Sequence, residues 1–242
     1  MALVYNWIKR LQTGLFPRVC RLCLTPTGQG DELCPACHRE LPWLSHSCSG
    51  CAIPLPAETH ATLCPECQKK PSQLDHCQAL FGYMEPIDQW IQQLKFRQDL
   101  TAARLLGELL VQQIPANSND QPVNLLPVPL HRSRLRTRGY NQALEIARPL
   151  IRKGYPLQPA VCLKHKATAA QSDLPARQRR RNVRGVFSVT RPLQGEHFLL
   201  VDDVLTTGAT LNELARTLRN AGAERVEAWV IARTINRECG GD

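Results

Sequence analysis

Aromatic residues and long apolar segments are both scarce in this chain of 242 residues. Phe, Trp and Tyr together make up 5% of the sequence, so the aromatic platforms on which single-stranded nucleic acids usually stack are few. No apolar segment approaches the roughly 20 residues that a membrane-spanning helix needs. These shortages argue against a membrane span and weaken the case for a protein that stacks bases.

The amino-terminal segment, residues 1–16, lacks the uninterrupted apolar core of a signal peptide. Its apolar side chains instead recur at helical spacing. They are Val4, Trp7, Ile8, Leu11 and Leu15. We therefore predict an amphipathic docking helix over residues 1–17. A helix lying on a membrane surface is the alternative, which is weaker because the basic face of Lys9 and Arg10 is thin.

Cysteine is abundant, and eight of the 11 cysteines form four Cys-x-x-Cys pairs. The pairs are Cys20 and Cys23, Cys34 and Cys37, Cys48 and Cys51, and Cys64 and Cys67. This spacing is typical of metal ligands in a reducing compartment, whereas secreted proteins use cysteines for disulfides. We predict two structural Zn²⁺ sites of four thiolates each within residues 18–72, and a cytoplasmic protein.

The cysteine pairs belong to an internal repeat, in which each half has a knuckle, a linker containing proline and a second knuckle preceded by Leu. We predict one ion per half. A cross-braced arrangement, with the first pair joined to the third, stays open because sequence does not define connectivity. Zinc would supply the folding free energy that this Pro-rich segment lacks. A structural role is the usual one for such ribbons, and contact with nucleic acid is the alternative.

The formal net charge of the chain is +9 at pH 7. It stays positive, although smaller, when eight zinc-bound thiolates and two zinc ions are counted. A basic excess favours anionic partners. It does not distinguish a diphosphate from a nucleic acid.

Residues 198–210, FLLVDDVLTTGAT, place two acids and a hydroxyl-rich turn directly after an apolar run. The run over 198–201 is typical of a strand buried on both faces of a parallel sheet. Ligands of such sheets bind at the carboxyl ends of the strands, where Asp202 and Asp203 could accept hydrogen bonds from ribose hydroxyls. The turn over 206–210 offers backbone N–H groups at a helix start, which favours a phosphate. The alternative is an ordinary strand followed by a helix cap.

The remaining pattern predicts an α/β fold, a parallel sheet with helices on both faces. Strands are expected at 80–84, 125–130, 198–201 and 226–232, and helices at 87–96, 100–114, about 140–152 and 211–220.

Two basic segments lie between these elements. We predict a loop over 131–139 that carries four arginines, Arg132, Arg134, Arg136 and Arg138, and could hold a diphosphate. We predict a basic lid over 163–185, which includes Arg179 and Arg181 and could close over a charged substrate. The alternatives are a solvated basic turn for the first segment and a nucleic-acid-binding strip for the second.

Several of these segments, taken together, resemble one known family. They are the four cysteine pairs, LKF at 94–96, PVPLHRSRLRTRGYNQA at 127–143, the pattern of Gln171, Leu174, Arg179, Arg181, Asn182 and Phe187, and VDDVLTTGAT. The chain is similar to the ComF/GntX family of phosphoribosyltransferase-like proteins. The resemblance implies a double zinc ribbon ahead of a type I phosphoribosyltransferase fold over 78–238. It also implies a part in natural transformation, after DNA has entered the cytoplasm.

The resemblance also implies roles for individual residues. Asp202 and Asp203 would be the catalytic pair and bind the ribose hydroxyls of phosphoribosyl diphosphate (PRPP). The 5′-phosphate would lie on Thr206, Thr207, Gly208, Ala209 and Thr210. The diphosphate and Mg²⁺ would lie at the 131–139 loop, with Arg132, Arg136 and Arg138, and the lid would contribute Gln171, Arg179 and Arg181. No segment is assigned as a pocket for the acceptor.

Three functions are compatible with this sequence. In the first, a nitrogen nucleophile attacks C1′ of PRPP and diphosphate leaves with Mg²⁺. In the second, a non-catalytic module binds single-stranded DNA or a partner protein of the DNA-uptake machinery and keeps the PRPP fold as a scaffold or sensor. A purely structural adaptor ranks last because it leaves the acid pair and turn without a purpose. The sequence does not define the oligomeric state.

Overall fold

The computed structural model describes residues 19–27, 32–118, 122–166 and 183–235. The chain divides into two compact units, Met1–Pro42 and Trp43–Asp242. The predicted helix over 1–17 and most of the predicted lid, 167–182, lie outside the described residues. None of the helices in the described ranges combines the length and the apolar character that crossing a membrane requires.

Within the described residues 19–27 and 32–42, the first unit contains a short antiparallel bridge between Val19 and Pro26 and one short helix, α1, at Pro35–Arg39. Cys34 is the N-cap of α1. Pro35 follows at the first helical position, where an N–H group would have no partner within the helix, so the N–H that proline lacks is not missed. The first cysteine pair of this unit, Cys20 and Cys23, therefore lies in a knuckle. The second pair, Cys34 and Cys37, lies at the first turn of α1.

The second unit is built on a four-stranded parallel sheet and a separate two-stranded ribbon. In chain order the strands are β1 His76–Gly82, β2 Val123–Pro127, β3 Cys162–Lys164, β4 Phe187–Val189, β5 His197–Leu205 and β6 Arg225–Arg233. The sheet has the order β1-β6-β5-β2, and β3 pairs antiparallel with β4. The helices of this unit are α2 Pro65–Lys69, α3 Ile87–Arg97, α4 Leu100–Gln113, α5 Arg132–Arg138, α6 Gln142–Ala147, a 3₁₀ helix at Arg148–Lys153, and α7 Ala209–Asn220.

This architecture confirms the predicted α/β class with a parallel sheet. β5, α7 and β6 form the expected βαβ unit, with β5 and β6 parallel. Phe198 and Leu200 of β5 pack with Leu211 and Leu214 of α7 in one buried cluster. The alternate residues of β5 face the opposite side of the sheet, where α6 contacts β5 and β2.

Helices α3 and α4 form where the apolar periodicity predicts them. The four apolar residues of the α3 stripe are all buried, namely Ile87, Trp90, Ile91 and Leu94. Asp99 then caps α4, because its carboxylate accepts the N–H groups of Thr101 and Ala102 at 3.0 and 3.1 Å.

The predicted loop over 131–139 is wrong, because Arg132–Arg138 is a two-turn helix, α5. The imidazole Nδ1 of His131 accepts the N–H of Ser133 at 3.2 Å and caps its start. Gly139, at φ 83°, ends it in the left-handed conformation. Arg and Leu are good helix formers, so two local caps suffice to order a segment that its charge pattern marked as a loop.

Other boundaries also differ from the prediction. The strand expected at 80–84 spans His76–Gly82, and the one expected at 125–130 spans Val123–Pro127. The helix expected to reach Arg152 changes to 3₁₀ geometry at Arg148, next to Pro149, whose missing N–H interrupts the α-helical ladder. The lid was expected to begin at Leu163, but Leu163 and Lys164 belong to β3. Their partners in β4, Ser188 and Phe187, lie beyond the expected lid, so the pairing is not visible in local sequence.

The packing of α4 against α6 makes a prediction for Gly107. A Cβ at this position would lie 2.6 Å from the carbonyl oxygen of Ile146 and 2.9 Å from Cγ of Pro149. We expect Gly107→Ala to lower the free energy of unfolding by roughly 2 kcal/mol in urea, although Ala is the better helix former. Gln113→Ala, at the exposed end of α4, should change it by less than about 0.5 kcal/mol. An unchanged urea midpoint for Gly107→Ala would contradict this packing.

Candidate functional site

The eight paired cysteines form two clusters, each with four Sγ atoms within 4.8 Å of one another. One contains Cys20, Cys23, Cys34 and Cys37, and the other contains Cys48, Cys51, Cys64 and Cys67. This confirms the predicted sequential pairing, with one site per half of the repeat. The cross-braced alternative is wrong, because no cysteine of the first half shares a cluster with one of the second.

The geometry of both clusters fits a tetrahedral metal. The Sγ atoms of Cys23 and Cys34 are 3.7 Å apart, and so are those of Cys51 and Cys64. A zinc ion with Zn–S bonds of about 2.3 Å places its sulfur ligands about 3.8 Å apart. In the second cluster the N–H of Cys64 also donates to Sγ of Cys48 at 3.2 Å, which favours a thiolate.

Electrostatics also favours a cation among these sulfurs. Burial, together with the neighbouring charges of Cys48 and Cys64, raises the pKa of Cys51 to about 11. Burial and the charge of Cys51 raise the pKa of Cys67 well above its usual value. Four thiolates in one cluster repel each other, and a Zn²⁺ ion would remove that repulsion. The two clusters therefore fit the zinc sites of a double ribbon.

The acid pair lies inside β5 and not beyond its end. The predicted strand stopped at Val201, but the ladder to β6 continues from Asp202, opposite Val230, to Leu205, opposite Arg233. β6 is long enough to pair with these residues, so the strand ends four residues later. Successive side chains alternate along a strand, which places the two carboxylates on opposite faces of the sheet.

Asp203 is 5% exposed and forms an ion pair with Lys95 of α3. Its Oδ2 lies 3.0 Å from Nζ of Lys95, in an orientation that is ionic and not an aligned hydrogen bond. A buried carboxylate without a cation would be costly. Lys95 thus supplies the positive charge that compensates the Asp203 carboxylate at the carboxyl edge of the sheet.

Asp202 has a different environment. Burial and the adjacent charge of Asp203 raise its pKa to about 7, against smaller lowering effects of the Asp203 N–H, Lys95 and Lys164. The Asp203 N–H donates to Oδ1 of Asp202 at 2.9 Å. Burial lowers the pKa of Lys164, whereas the charge of Asp202 raises it and that of Arg134 lowers it. Asp202, Lys164 and Arg134 therefore lie in one electrostatic cluster.

The turn after β5 has the shape of an anion cradle. Gly208, at φ 71°, is the N-cap of α7, and a Cβ there would lie 3.3 Å from Nδ2 of Asn212. Oγ1 of Thr207 accepts the N–H of Ala209 at 3.4 Å. A cavity of about 30 Å³ is lined by Asp202 and residues 204–211. All five residues of the predicted phosphate turn line this cavity.

The four arginines of α5 differ in their exposure and in their contacts. Arg132 and Arg136 are exposed, whereas Arg138 is partly buried, and its Nη1 has no hydrogen-bond partner among the described residues. Arg134 is the member whose charge reaches Lys164. The predicted lid residues Gln171, Arg179 and Arg181 lie outside the described residues.

Sequence reasoning missed three cations beside the acids, namely Lys95, Lys164 and Arg134. Lys95 is the central residue of the LKF segment quoted for the family resemblance, and this was the one signal that could have marked it. The basic pattern assigns Lys164 to the start of the lid, and nothing in the sequence distinguishes Arg134 from the three similar arginines beside it. Lys95 and Lys164 meet the acid pair, and Arg134 meets Lys164, only through the tertiary fold.

A second cavity, of about 1150 Å³, borders the turn on its other side. It lies between the second cysteine cluster, residues 71–74 and the first half of α7, and reaches Arg233 at the end of β6. Its walls are mixed: Ile53, Leu55 and Leu63 are apolar, and Asn212 and Arg216 are polar.

Known proteins with similar sequences decide the family. The chain is 33% identical to the DNA utilization protein YhgH of Escherichia coli O157:H7 over 226 residues, which cover 90% of this chain and 98% of the relative. The chain belongs to the ComF/GntX family. A second member, competence protein F of Haemophilus influenzae, is 32% identical over 84% of this chain and 91% of its own length.

Two family models match separate parts of this ComF/GntX family member. The double zinc ribbon domain matches residues 11–68, and the phosphoribosyl transferase domain matches residues 136–239. Among solved structures, an allosteric regulatory enzyme of purine biosynthesis overlaps 54% of this chain and 25% of its own, with 23% identity and a TM-score of 0.35. That TM-score is too low for the overlap to bear on individual residues.

The raised pKa of Asp202 predicts a pH-dependent cost to stability. Its usual pKa is 3.8, so between about pH 4 and pH 7 the folded chain holds a proton that the unfolded chain releases. The contribution of Asp202 to the free energy of unfolding therefore falls as pH rises. This loss is absent in Asp202→Asn, which has no carboxyl group to ionise. We expect the advantage of Asp202→Asn over the unsubstituted chain to grow by on the order of 2 kcal/mol between pH 5 and pH 8 in urea unfolding. A constant difference across this range would show that Asp202 titrates normally.

The two clusters predict a metal stoichiometry. We expect two zinc ions per chain by elemental analysis, and one in either Cys34→Ser or Cys67→Ser, since each substitution removes a ligand from one cluster. Cys162→Ala, a buried cysteine outside both clusters, should keep two. Loss of both ions from a single ligand substitution would contradict independent sites.

Proposed function

We propose that this protein binds PRPP with Mg²⁺ at the carboxyl end of β5 and acts in DNA uptake or utilization. The observation that carries the proposal is the adjacency of the acid pair and the small cavity, since Asp202 belongs to both. A phosphorylated sugar needs hydroxyl acceptors and an anion cradle at one place. Residues 202–210 supply both in a single segment.

The phosphate end of the ligand is supported by the turn. α7 spans Ala209–Asn220, and its first N–H groups have no partners within the helix. Such groups bind anions, and the helix dipole adds a partial positive charge. A 5′-phosphate in the small cavity would satisfy them, with the hydroxyls of Thr206 and Thr207 as further donors.

The ribose and diphosphate are supported by the charges around β5. Asp202, which lines the small cavity, is a hydrogen-bond acceptor for a ribose hydroxyl, whereas Asp203 lies on the opposite face of the sheet and pairs with Lys95. Lys164 interacts with the charges of both Asp202 and Arg134, so Lys164 and Arg134 are the candidate partners of a diphosphate. Mg²⁺, which prefers carboxylate and phosphate oxygens, would neutralise diphosphate charge when bound. The carboxylate of Asp202 fits such an ion because a cation would relieve its repulsion with Asp203.

The cellular role is supported by the relatives. Proteins named for DNA utilization and for competence match this chain over nearly their whole lengths. Binding of single-stranded DNA without a phosphosugar ligand is the second candidate, favoured by these names and by the net charge of +9. The scarcity of aromatic residues weakens it, because base stacking contributes most of the sequence-independent affinity beyond phosphate contacts.

Calorimetric titration with PRPP and Mg²⁺ tests the proposal. We expect saturable binding to the unsubstituted chain and at least about a tenfold loss in Gly208→Val, because a β-branched residue cannot keep φ 71° and must reshape the turn. Gly195→Val is the matched control. Gly195 also has a positive φ, 78°, but precedes the amino end of β5, so affinity should stay within about twofold.

Two results would overturn the phosphosugar proposal. One is no detectable PRPP binding by the zinc-loaded chain with Mg²⁺. The other is an equal loss in both glycine variants, which would reflect general instability. If the chain instead binds a single-stranded oligonucleotide with affinity that falls steeply with salt, the second candidate replaces the first.

A further inference from the structure

Arg233, the last residue of β6, lies behind the phosphate turn. Its Nη1 is 3.1 Å from the carbonyl oxygen of Leu205 and 2.5 Å from that of Thr206. It also lies 2.8 Å from the carbonyl oxygen of Thr234. One guanidinium group thus donates hydrogen bonds to the carbonyls at the end of β5 and at the start of the turn.

This arrangement acts on the N–H groups of the turn through the geometry of the peptide bond. In a trans peptide the C=O and N–H point in opposite directions. When Arg233 holds the carbonyls of Leu205 and Thr206, the N–H groups of Thr206 and Thr207 must point away from it. A positive charge at the oxygen also polarises the peptide, so its N–H becomes a stronger donor to an anion. Both threonines line the small cavity.

The same side chain reaches the second cysteine cluster. Nε of Arg233 donates to the carbonyl oxygen of Cys51 at 2.9 Å. The knuckle around Cys51 is itself anchored to the sheet, because the carbonyl of Ser49 accepts the N–H of Cys77 of β1 at 2.7 Å. Ala52 of the same knuckle is fully buried in the core cluster. The position of the Cys51 carbonyl therefore depends on the fold of the knuckle.

We propose that Arg233 is a positioning residue that couples the second four-cysteine site to the phosphate turn, so that metal at this site raises affinity for a phosphate monoester. The coupling rests on the proposed phosphosugar function. Metal fixes the knuckle, the Cys51 carbonyl orients the guanidinium, and the guanidinium orients the two peptides of the turn. The first cluster belongs to the other compact unit.

Substitutions at Arg233 test the link to the turn, with ribose 5-phosphate as the probe. We expect Arg233→Met to keep two zinc ions but to raise the Kd by about tenfold or more, since charge-assisted hydrogen bonds are lost. Arg233→Lys should give an intermediate Kd, because it retains the charge but cannot bridge Cys51 and the turn. Arg225→Met is the control. Arg225 is exposed at the other end of β6, where it pairs with Glu227.

Two cysteine variants test the link to the metal. Cys67→Ser and Cys34→Ser each remove one ligand, and each should lose one zinc ion. We expect only Cys67→Ser to weaken ribose 5-phosphate, again by about tenfold, while Cys34→Ser stays within about twofold. If Cys67→Ser unfolds, seen as loss of its melting transition, the Arg233 variants decide the proposal.

The NMR amide resonances of residues 206–208, recorded without ligand, test this coupling independently of the proposed function. We expect them to shift in Arg233→Met and in Cys67→Ser but not in Arg225→Met or Cys34→Ser. Should the unsubstituted chain bind neither ribose 5-phosphate nor PRPP, the phosphosugar function fails and these shifts still decide the coupling. A wild-type Kd and unshifted amides in Arg233→Met would overturn it, as would equal effects of the two cysteine variants.

Discussion

The parallel pairing of β5 with β6 is the interaction on which the site depends. It continues to Leu205 opposite Arg233, at the point where the turn begins. Because of this register the two acids are held as strand residues, with alternating side chains that face separate cations. The same register brings Arg233 beside the carbonyls of the turn. A shorter β6 would leave the acids in a loop and the turn without its support.

The cysteine clusters give the structure a second constraint of a different kind. A parallel sheet is stabilised by buried apolar side chains, whereas the ribbon halves bury little and depend on sulfur ligands. The two halves have the same ligand set but different surroundings. The first forms a unit of its own, and the second belongs to the compact unit that contains the sheet. The two halves of the sequence repeat therefore have different structural surroundings.

The sequence alone predicted those elements that depend on residue spacing within one short segment. The Cys-x-x-Cys spacing predicted both clusters, and the apolar patterns predicted α3, α4 and the β5-α7-β6 unit. Apart from the change to 3₁₀ geometry beside Pro149, the main misses are decided by distant partners or by caps. β6 extends β5, β4 defines β3, and the imidazole of His131 with Gly139 orders α5. The Lys95–Asp203 pair joins residues from separate parts of the chain, so periodicity and motif spacing carry no trace of it.

The environment of Asp202 would make cation binding at the proposed site a proton-linked event. Near neutral pH, where its pKa of about 7 lies, a substantial fraction of the molecules carries a proton on this carboxyl group. A bound cation stabilises the ionised form, so its arrival expels that proton into the buffer. For the proposed magnesium-bearing ligand, the apparent affinity would then rise with pH across the physiological range. Occupancy of the proposed site would depend on the acidity of the surroundings as well as on the ligand concentration.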